Sequence, residues 1–272
     1  MQNILSLKIK KKLNFEIIHF YEDRGETLIA SKGNNFFLKK STEEIKIKIP
    51  VGFISSLLLF FRTTRRLFRL DKSNAFFSYD KKFILILYRG NIWRFCLTSK
   101  SLVKVFKFTS RNVLHGGIAV TKSGIYLGDY SRNKNRNEIY IYRSLDSGLT
   151  WKIIYEFPKN SIRHVHGVFF DSFIDKLWVL TGDEDSECFL ISANFDFSEV
   201  EKMGNGSQKW RATDLIFTED KIIWGMDSPN ENSYLQFYDR SSKTLERGTK
   251  FPGPIWFTKR LEDGFFMVQT TV

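Results

Sequence analysis

The stretch Ser144-Leu145-Asp146-Ser147-Gly148-Leu149-Thr150-Trp151 decides the fold. Its polar residues fall at turn spacing: Ser144 and Asp146 can hydrogen-bond the backbone of a tight turn, and Gly148 can take a positive φ. Trp151 ends the stretch as an apolar plug suited to a slot between neighbouring sheets. Both flanks, Glu138 to Arg143 and Lys152 to Phe157, read as strands. The stretch therefore predicts a β-hairpin stapled by its own turn.

Outward from this hairpin the same order of strands and turns recurs. One unit runs Gly116 to Val120, Gly124 to Asp129, Glu138 to Tyr142 and Trp151 to Tyr155. The next repeats it as Arg163 to Phe170, Lys176 to Asp183 and Cys188 to Ser192, where Ser192-Ala193-Asn194 reads as a decayed start of the same turn motif. A third runs Arg211 to Phe217, Lys221 to Asp227 and Tyr234 to Tyr238. Units of about 45 to 50 residues have the length of a four-stranded propeller blade. Two looser blades precede them, one containing Phe83 to Tyr88, and about half a blade follows Pro254. The expectation is an all-β single domain: a β-propeller of four-stranded antiparallel blades over residues 15–50, 74–110, 113–158, 162–203, 211–251 and 254–272, about six in all. The last blade is incomplete or is closed by an N-terminal strand, since a raw sheet edge is a liability.

Composition agrees. The chain has 272 residues with 27 Phe, 10 Tyr and 6 Trp, an aromatic load that suits strands, and only five prolines. Cys96 and Cys188 stand far apart and read as free thiols, which points to a reducing compartment. The N-terminus places Lys8 to Lys12 behind a very short apolar run, unlike a secretory signal, so a cytoplasmic location is expected. The longest apolar run, Val51 to Phe61, is too short to span a bilayer and reads as a core strand. Net charge is +12, and residues 1–112 hold 23 Lys/Arg against 8 Asp/Glu. Arg62, Arg65, Arg66 and Arg69 would share one face of a helix there, a basic surface for a polyanion or a solvated face. The sequence contains no zinc-ligand spacing, P-loop or dinucleotide fingerprint, so nucleic acid and nucleotide chemistry are not indicated.

The blade topology places the reactive side chains. Starts of innermost strands and ends of second strands share one face of the disc, opposite the stapled turn. His115, His164, His166, Gln208 and Arg211 fall at the former, and Asp129, Asp183, Asp185, Glu187 and Asp227 at the latter. Three of the chain's four histidines join this rim. His164 and His166, two apart on a strand, project to one side, and Gly167 admits a close neighbour. His164, His166, Arg211 and Asp183 are the catalytic candidates; His115, Asp129, Arg136, Gln208 and Asp227 are the substrate-binding ones. The histidines suit a divalent metal site, with His115, His164 and His166 as ligands, or a general base beside a guanidinium. The plainer alternative is a structural network in which both histidines bond Asp183 or Asp227 and Arg211 pairs with the same carboxylates. Thr181 to Glu187 reads as a solvated turn with Asp183 its one inward residue. Trp178 and Trp224 read as core, and Trp210 as a possible stacking ring.

Ser144, Asp146, Gly148, Thr150 and Trp151 fit S-x-D-x-G-x-T-W, the Asp-box, and on that motif the chain resembles the BNR/Asp-box, sialidase-like β-propeller superfamily. It is similar within that group to bacterial Asp-box proteins carrying, in order, Gly128-Asp129-Tyr130 with Asn133 and Arg136, the Asp-box, Arg163 to His166, Thr181 to Asp183 and Gly206 to Arg211. The resemblance covers residues 111 to 258 well. It implies a propeller and a carbohydrate connection, because the superfamily includes sialidases, other glycosidases, uronate lyases and binding modules. True sialidases share an Arg-Ile-Pro signature and an arginine triad; here the nearest match is Lys48-Ile49-Pro50, so sialidase chemistry is not implied. The expected function is a glycan-active or glycan-binding propeller for an acidic oligosaccharide or sugar intermediate. The competing expectation is a non-catalytic scaffold whose basic N-terminal face binds a polyanion or protein.

Overall fold

The computed structural model describes residues 15–22, 27–41, 43–110, 113–260 and 266–271. The chain divides into two compact units, Met1–Asp71 and Lys72–Val272.

In the first unit, β1 (Ile17–Glu22), β2 (Thr27–Lys32), β3 (Asn35–Lys40) and β4 (Glu43–Lys48) form an antiparallel meander. Two short helices follow, α1 (Phe53–Phe60) and α2 (Arg62–Leu67). The apolar run expected as a core strand is thus helical: its Leu/Phe-rich, largely unbranched residues favour a helix, and periodicity alone does not separate the two over so few residues. Nor do all four arginines lie on an open face. Arg65 is buried, pairs with Glu16 and donates to the Leu59 and Phe60 carbonyl oxygens at 2.6 and 3.2 Å, leaving Arg62, Arg66 and Arg69 exposed.

The second unit contains four further four-stranded meanders and one pair. These are β5 to β8 (Ser73–Phe77, Phe83–Tyr88, Asn91–Cys96, Leu102–Lys107), β9 to β12 (Ile118–Thr121, Gly124–Gly128, Ile139–Ser144, Lys152–Phe157) and β13 to β16 (Val165–Asp171, Lys176–Thr181, Cys188–Ala193, Val200–Gly206). Then come β17 to β20 (Ile216–Phe217, Lys221–Gly225, Ser233–Asp239, Leu245–Phe251), preceded by the 3-10 turn Gln208–Trp210, and β21–β22 (Ile255–Arg260, Phe266–Thr270). Every neighbouring pair is antiparallel, as blades require. The last sheet has two strands among the described residues; β1 pairs with β2, and a closing strand drawn from residues 1–14 lies outside the described residues.

Three apolar clusters lie between consecutive sheets. Leu85, Leu127 and Trp151 join β5–β8 to β9–β12; Ile141, Val168 and Val179 join β9–β12 to β13–β16; Leu180, Trp210 and Trp224 join β13–β16 to β17–β20. All three candidate tryptophans are core, Trp210 included: it stacks on Trp224 with centroids 5.4 Å apart.

The Ser144–Trp151 turn is built as its residues predict. Asp146 Oδ1 accepts from Ser144 Oγ at 2.9 Å and the Thr150 N–H at 2.8 Å, its Oδ2 accepts the Thr150 hydroxyl at 2.6 Å, and Ser144 Oγ accepts the Gly148 N–H at 2.9 Å. Gly148 has φ +83° and lies so near Leu85 of the adjacent sheet that a Cβ would come within 2.3 Å of it. The indole of Trp151 donates to the Gly148 carbonyl at 3.0 Å and is buried in that same inter-sheet core. Turn and core are one structure.

Candidate functional site

His164 and His166 sit where β13 begins, and the register against β14 shifts between Val165 and Gly167. Such a bulge re-aims the side chain it carries. Here it brings two rings together, with centroids 5.0 Å apart. Gly167 is approached by a ring and by backbone: its built Cβ would stand 2.6 Å from the Phe169 ring and 2.7 Å from the Gly117 Cα, and one on Gly117 would stand 2.6 Å from the His166 carbonyl oxygen. Two small residues thus let neighbouring blades meet behind the histidines.

Asp183 arrives from the turn after β14, where Gly182 takes φ +110° against Cys188. Its Oδ1 lies 3.3 Å from His166 Nε2 and 3.4 Å from His164 Nε2. Each imidazole is held from behind: His164 Nδ1 lies 2.6 Å from the Ser131 carbonyl oxygen and His166 Nδ1 2.7 Å from that of Ala212. A carbonyl oxygen only accepts, so both Nδ1 atoms carry protons and both Nε2 atoms face the carboxylate. Both histidines are buried, and burial, reinforced by the charge of His166, outweighs the attraction of Asp183 and lowers the pKa of His164. Burial thus favours the neutral ring, in which the Ser131 carbonyl holds the proton on Nδ1. Although within ion-pair distance of Asp183, Nε2 makes no aligned hydrogen bond.

Asp183 also holds two guanidinium groups. Arg211 Nη2 lies 2.9 Å from Oδ1 and Arg163 Nη1 2.9 Å from Oδ2. Burial opposes its charge, but the attraction of His164 and His166, the latter hydrogen-bonded to Oδ1, prevails and keeps the carboxyl well below the usual carboxylate range. Arg211 donates as well to the Asp183 carbonyl at 2.8 Å and reaches Asp227 Oδ2 at 3.2 Å. Asp227, raised chiefly by burial, accepts the Trp256 indole N–H at 2.6 Å. Gln208 Nε2 donates to the Asp183 carbonyl at 3.1 Å. Three buried polar atoms here, His164 Nε2, Gln208 Oε1 and Arg211 Nε, have no hydrogen-bond partner. Orphaned buried polar groups are uncommon and mark places that bind something or store strain.

His164, His166, Asp183, Arg211, Gln208 and Asp227 are thus brought together. His115 is exposed in the turn before β9 and is outside the metal-compatible group, which among the described residues is His164, His166 and Asp183, with ligand atoms within 4.8 Å of one another. Asp129 faces the neighbouring blade, its two oxygens bonded to Thr109 at 2.8 Å and Oδ2 to Tyr142 at 3.2 Å. Arg136 pairs with Glu187, which also accepts the Arg163 N–H at 3.0 Å. The 181–187 turn therefore has two inward carboxylates, Asp183 and Glu187, because Arg136 offers the second a counter-charge from another blade. Three residues escaped the sequence reading. Arg163 precedes His164 and was legible as part of Arg-His-Val-His; Tyr130, whose ring centroid is 4.5 Å from that of His164, was legible beside Asp129; Trp256 carries no local signal.

The two Nε2 atoms and Oδ1 form an N,N,O donor set that suits a transition-metal dication, with carbonyls behind the imidazoles in the supporting role common at such sites. The free Nε2 of His164 fits that use. Arg163 and Arg211 on the same carboxylate also let the group act as a base and cation pair without a metal.

No protein-family model matches the chain, and no curated protein matches it. Solved structures do. An oligogalacturonate lyase in complex with manganese aligns with TM-score 0.54 and 11% identity, over 90% of this chain and 67% of that one. The oligogalacturonate lyase of Vibrio parahaemolyticus aligns at 0.55 and 12%, over 95% and 75%. The extracellular domain assigned to a one-component system of B. thetaiotaomicron aligns at 0.59 and 14%; it covers 97% of this chain, which spans only 33% of that structure. At such identities the likeness shows the fold: an all-β, propeller-type chain of antiparallel blades.

Proposed function

We propose that this chain is a glycan-active or glycan-binding propeller of the Asp-box type, and that it takes an acidic oligosaccharide or sugar intermediate at His164, His166, Asp183 and Arg211. The observation that carries the reading is the buried Nε2 of His164, which makes no hydrogen bond while Nδ1 is held by the Ser131 carbonyl, and which shares Asp183 Oδ1 with the Arg211 guanidinium. A base next to a cation is what proton abstraction alpha to a carboxylate needs. In a uronate, the proton would pass to His164 Nε2, the C–H electron pair would form a carbon–carbon double bond, and the glycosidic oxygen would leave with a proton from solvent. In the metal-assisted alternative, a dication held by His164, His166 and Asp183 would neutralise the substrate carboxylate; the His164 lone pair would then be a ligand, and the proton would pass to a base other than His164. Trp256 completes the site: it is 54% exposed, and its indole is tethered to Asp227, which contacts Arg211. It offers a ring for a sugar to stack on, the part that the buried tryptophans cannot play. Support from known structures is the fold likeness to oligogalacturonate lyases, one of them in complex with manganese.

The test is metal content of the purified, tag-free protein by mass spectrometry, for wild type and His164→Ala/His166→Ala, followed by binding and unsaturated-product assays with acidic oligosaccharides. A stoichiometric transition metal lost in the variant, or saccharide binding lost in Arg211→Ala and weakened in Trp256→Ala, supports the reading. Neither metal nor binding of any acidic saccharide by wild type would overturn it.

A further inference from the structure

Within the first unit, apolar side chains of the two helices are exposed among the described residues. On α1 the outward side chains are Phe53, Ile54, Leu57 and Phe60, with Phe53 86% and Phe60 78% exposed; Phe61, Leu67 at 76% and Phe68 continue the patch over α2. Folding normally turns such residues inward, and a contiguous cluster of this kind on a soluble surface marks an interaction site. Here the inward positions are Leu59, Arg65 and Leu70.

The cluster is presented rigidly. Arg65 pairs with Glu16 ahead of β1 and caps the last carbonyls of α1, and Thr64 donates to the Phe61 carbonyl at 2.9 Å. Gly33, at φ +59° between β2 and β3, lies against both Arg65 and Leu59. The two helices are thus pinned on the sheet with their apolar side chains held out.

Charge identifies the partner. From Ile45 to Leu70 the sequence has no Asp or Glu, whereas Lys46, Lys48, Arg62, Arg66 and Arg69 are exposed. Exposed aromatic and leucine side chains in a segment whose charges are all cationic fit the headgroup boundary of a bilayer, where apolar residues enter the acyl edge and arginines reach phosphates. α1 has only eight residues, so it does not cross a membrane, and among the described residues no helix is long and apolar enough to do so. We infer that α1 and α2 form a peripheral docking surface for an anionic lipid bilayer.

The full chain would be floated with vesicles of pure phosphatidylcholine and of equal parts phosphatidylcholine and phosphatidylglycerol, at low and high salt. Partition into the anionic vesicles is expected and should weaken with salt. Phe53→Ser/Phe60→Ser/Leu67→Ser should abolish it, and Arg62→Glu/Arg66→Glu/Arg69→Glu should lower it by about a hundredfold or more. These positions are exposed, so circular dichroism and thermal midpoint should match wild type. Equal partition of wild type and the apolar variant, or no partition at all, overturns the inference. So does a concentration-dependent dimer, seen by sedimentation, that the apolar variant dissolves, since the patch would then belong to a second copy.

Discussion

Asp183 gathers four basic side chains on one carboxyl group, and the two histidines among them hold it strongly acidic against its burial. Asp183→Asn removes the counter-charge that Arg163 and Arg211 share while keeping the shape, and should cost on the order of 2–4 kcal/mol in urea unfolding, because Arg211 then keeps only Asp227 and Arg163 only the exposed Glu184. His164 works in the opposite sense to an exposed histidine. With its folded pKa below the ordinary 6.5, the stability it contributes is present above pH 6.5 and is lost as pH falls through the folded value, so the site keeps its base in mildly acidic solution. Asp214 is a separate residue of interest. It accepts the Thr258 and Leu215 N–H groups at 3.1 and 2.9 Å, and burial pushes it up to about 6. A raised carboxyl stabilises when protonated, so its contribution is full below pH 3.8 and disappears as pH rises through about 6. Asp214→Asn should therefore flatten that part of the pH profile of the thermal midpoint, while its Nδ2, which only donates, gives up one of the two N–H bonds. Nothing in the sequence around Asp214 announces this, since the carboxyl is desolvated by residues distant in the chain.

At the scale of the element, the stapled turn and the histidine bulge differ in how far they can be read. Every partner within the Ser144–Trp151 turn lies within four residues, so residue type and spacing suffice to predict it. Its tie to the neighbouring sheet is tested by paired glycine substitutions. Gly148→Ala meets both an unfavourable φ and the Leu85 side chain, whereas Gly116→Ala, also at φ +83°, meets nothing within 4 Å. The first should cost about 2–4 kcal/mol and the second about 1 kcal/mol in equilibrium unfolding. The bulge at His166 was not readable: alternation alone puts residues two apart on one side, but it does not foresee a register shift that sets both Nε2 atoms on one carboxylate. The apolar run at Val51 to Phe61 shows the converse, a local pattern compatible with either strand or helix, decided by what the neighbouring sheet leaves to pair with.

For the whole molecule, a ligand that binds the folded His164/His166/Asp183 site and not the unfolded chain must stabilise it by mass action. At a hundredfold excess over Kd the gain is about 2.7 kcal/mol, or several degrees in thermal midpoint for a chain of this size. Manganese or zinc titrated into wild type should give that shift, and the same ion should leave His164→Ala/His166→Ala unmoved in differential scanning calorimetry. Repetition of one strand grammar made the blades legible, because each blade is a meander of neighbours in sequence: the three units read from Gly116 to Tyr238 correspond to β9–β12, β13–β16 and β17–β20. The sequence by itself determined that the chain is all-β and bladed, where the stapled turn lies, and which short segments carry the histidines and arginines, since all of these depend on contacts between near neighbours in the chain. Tertiary structure alone decided that Asp183, rather than Asp227, receives both histidines, that His115 stays outside, that Arg136 serves Glu187, that Trp256 is the exposed ring, and that α1 turns its apolar side outward. Each of those outcomes depends on which group from another blade or strand lies within hydrogen-bonding or packing distance, and that follows from the packing of whole sheets rather than from the order of residues within any one of them.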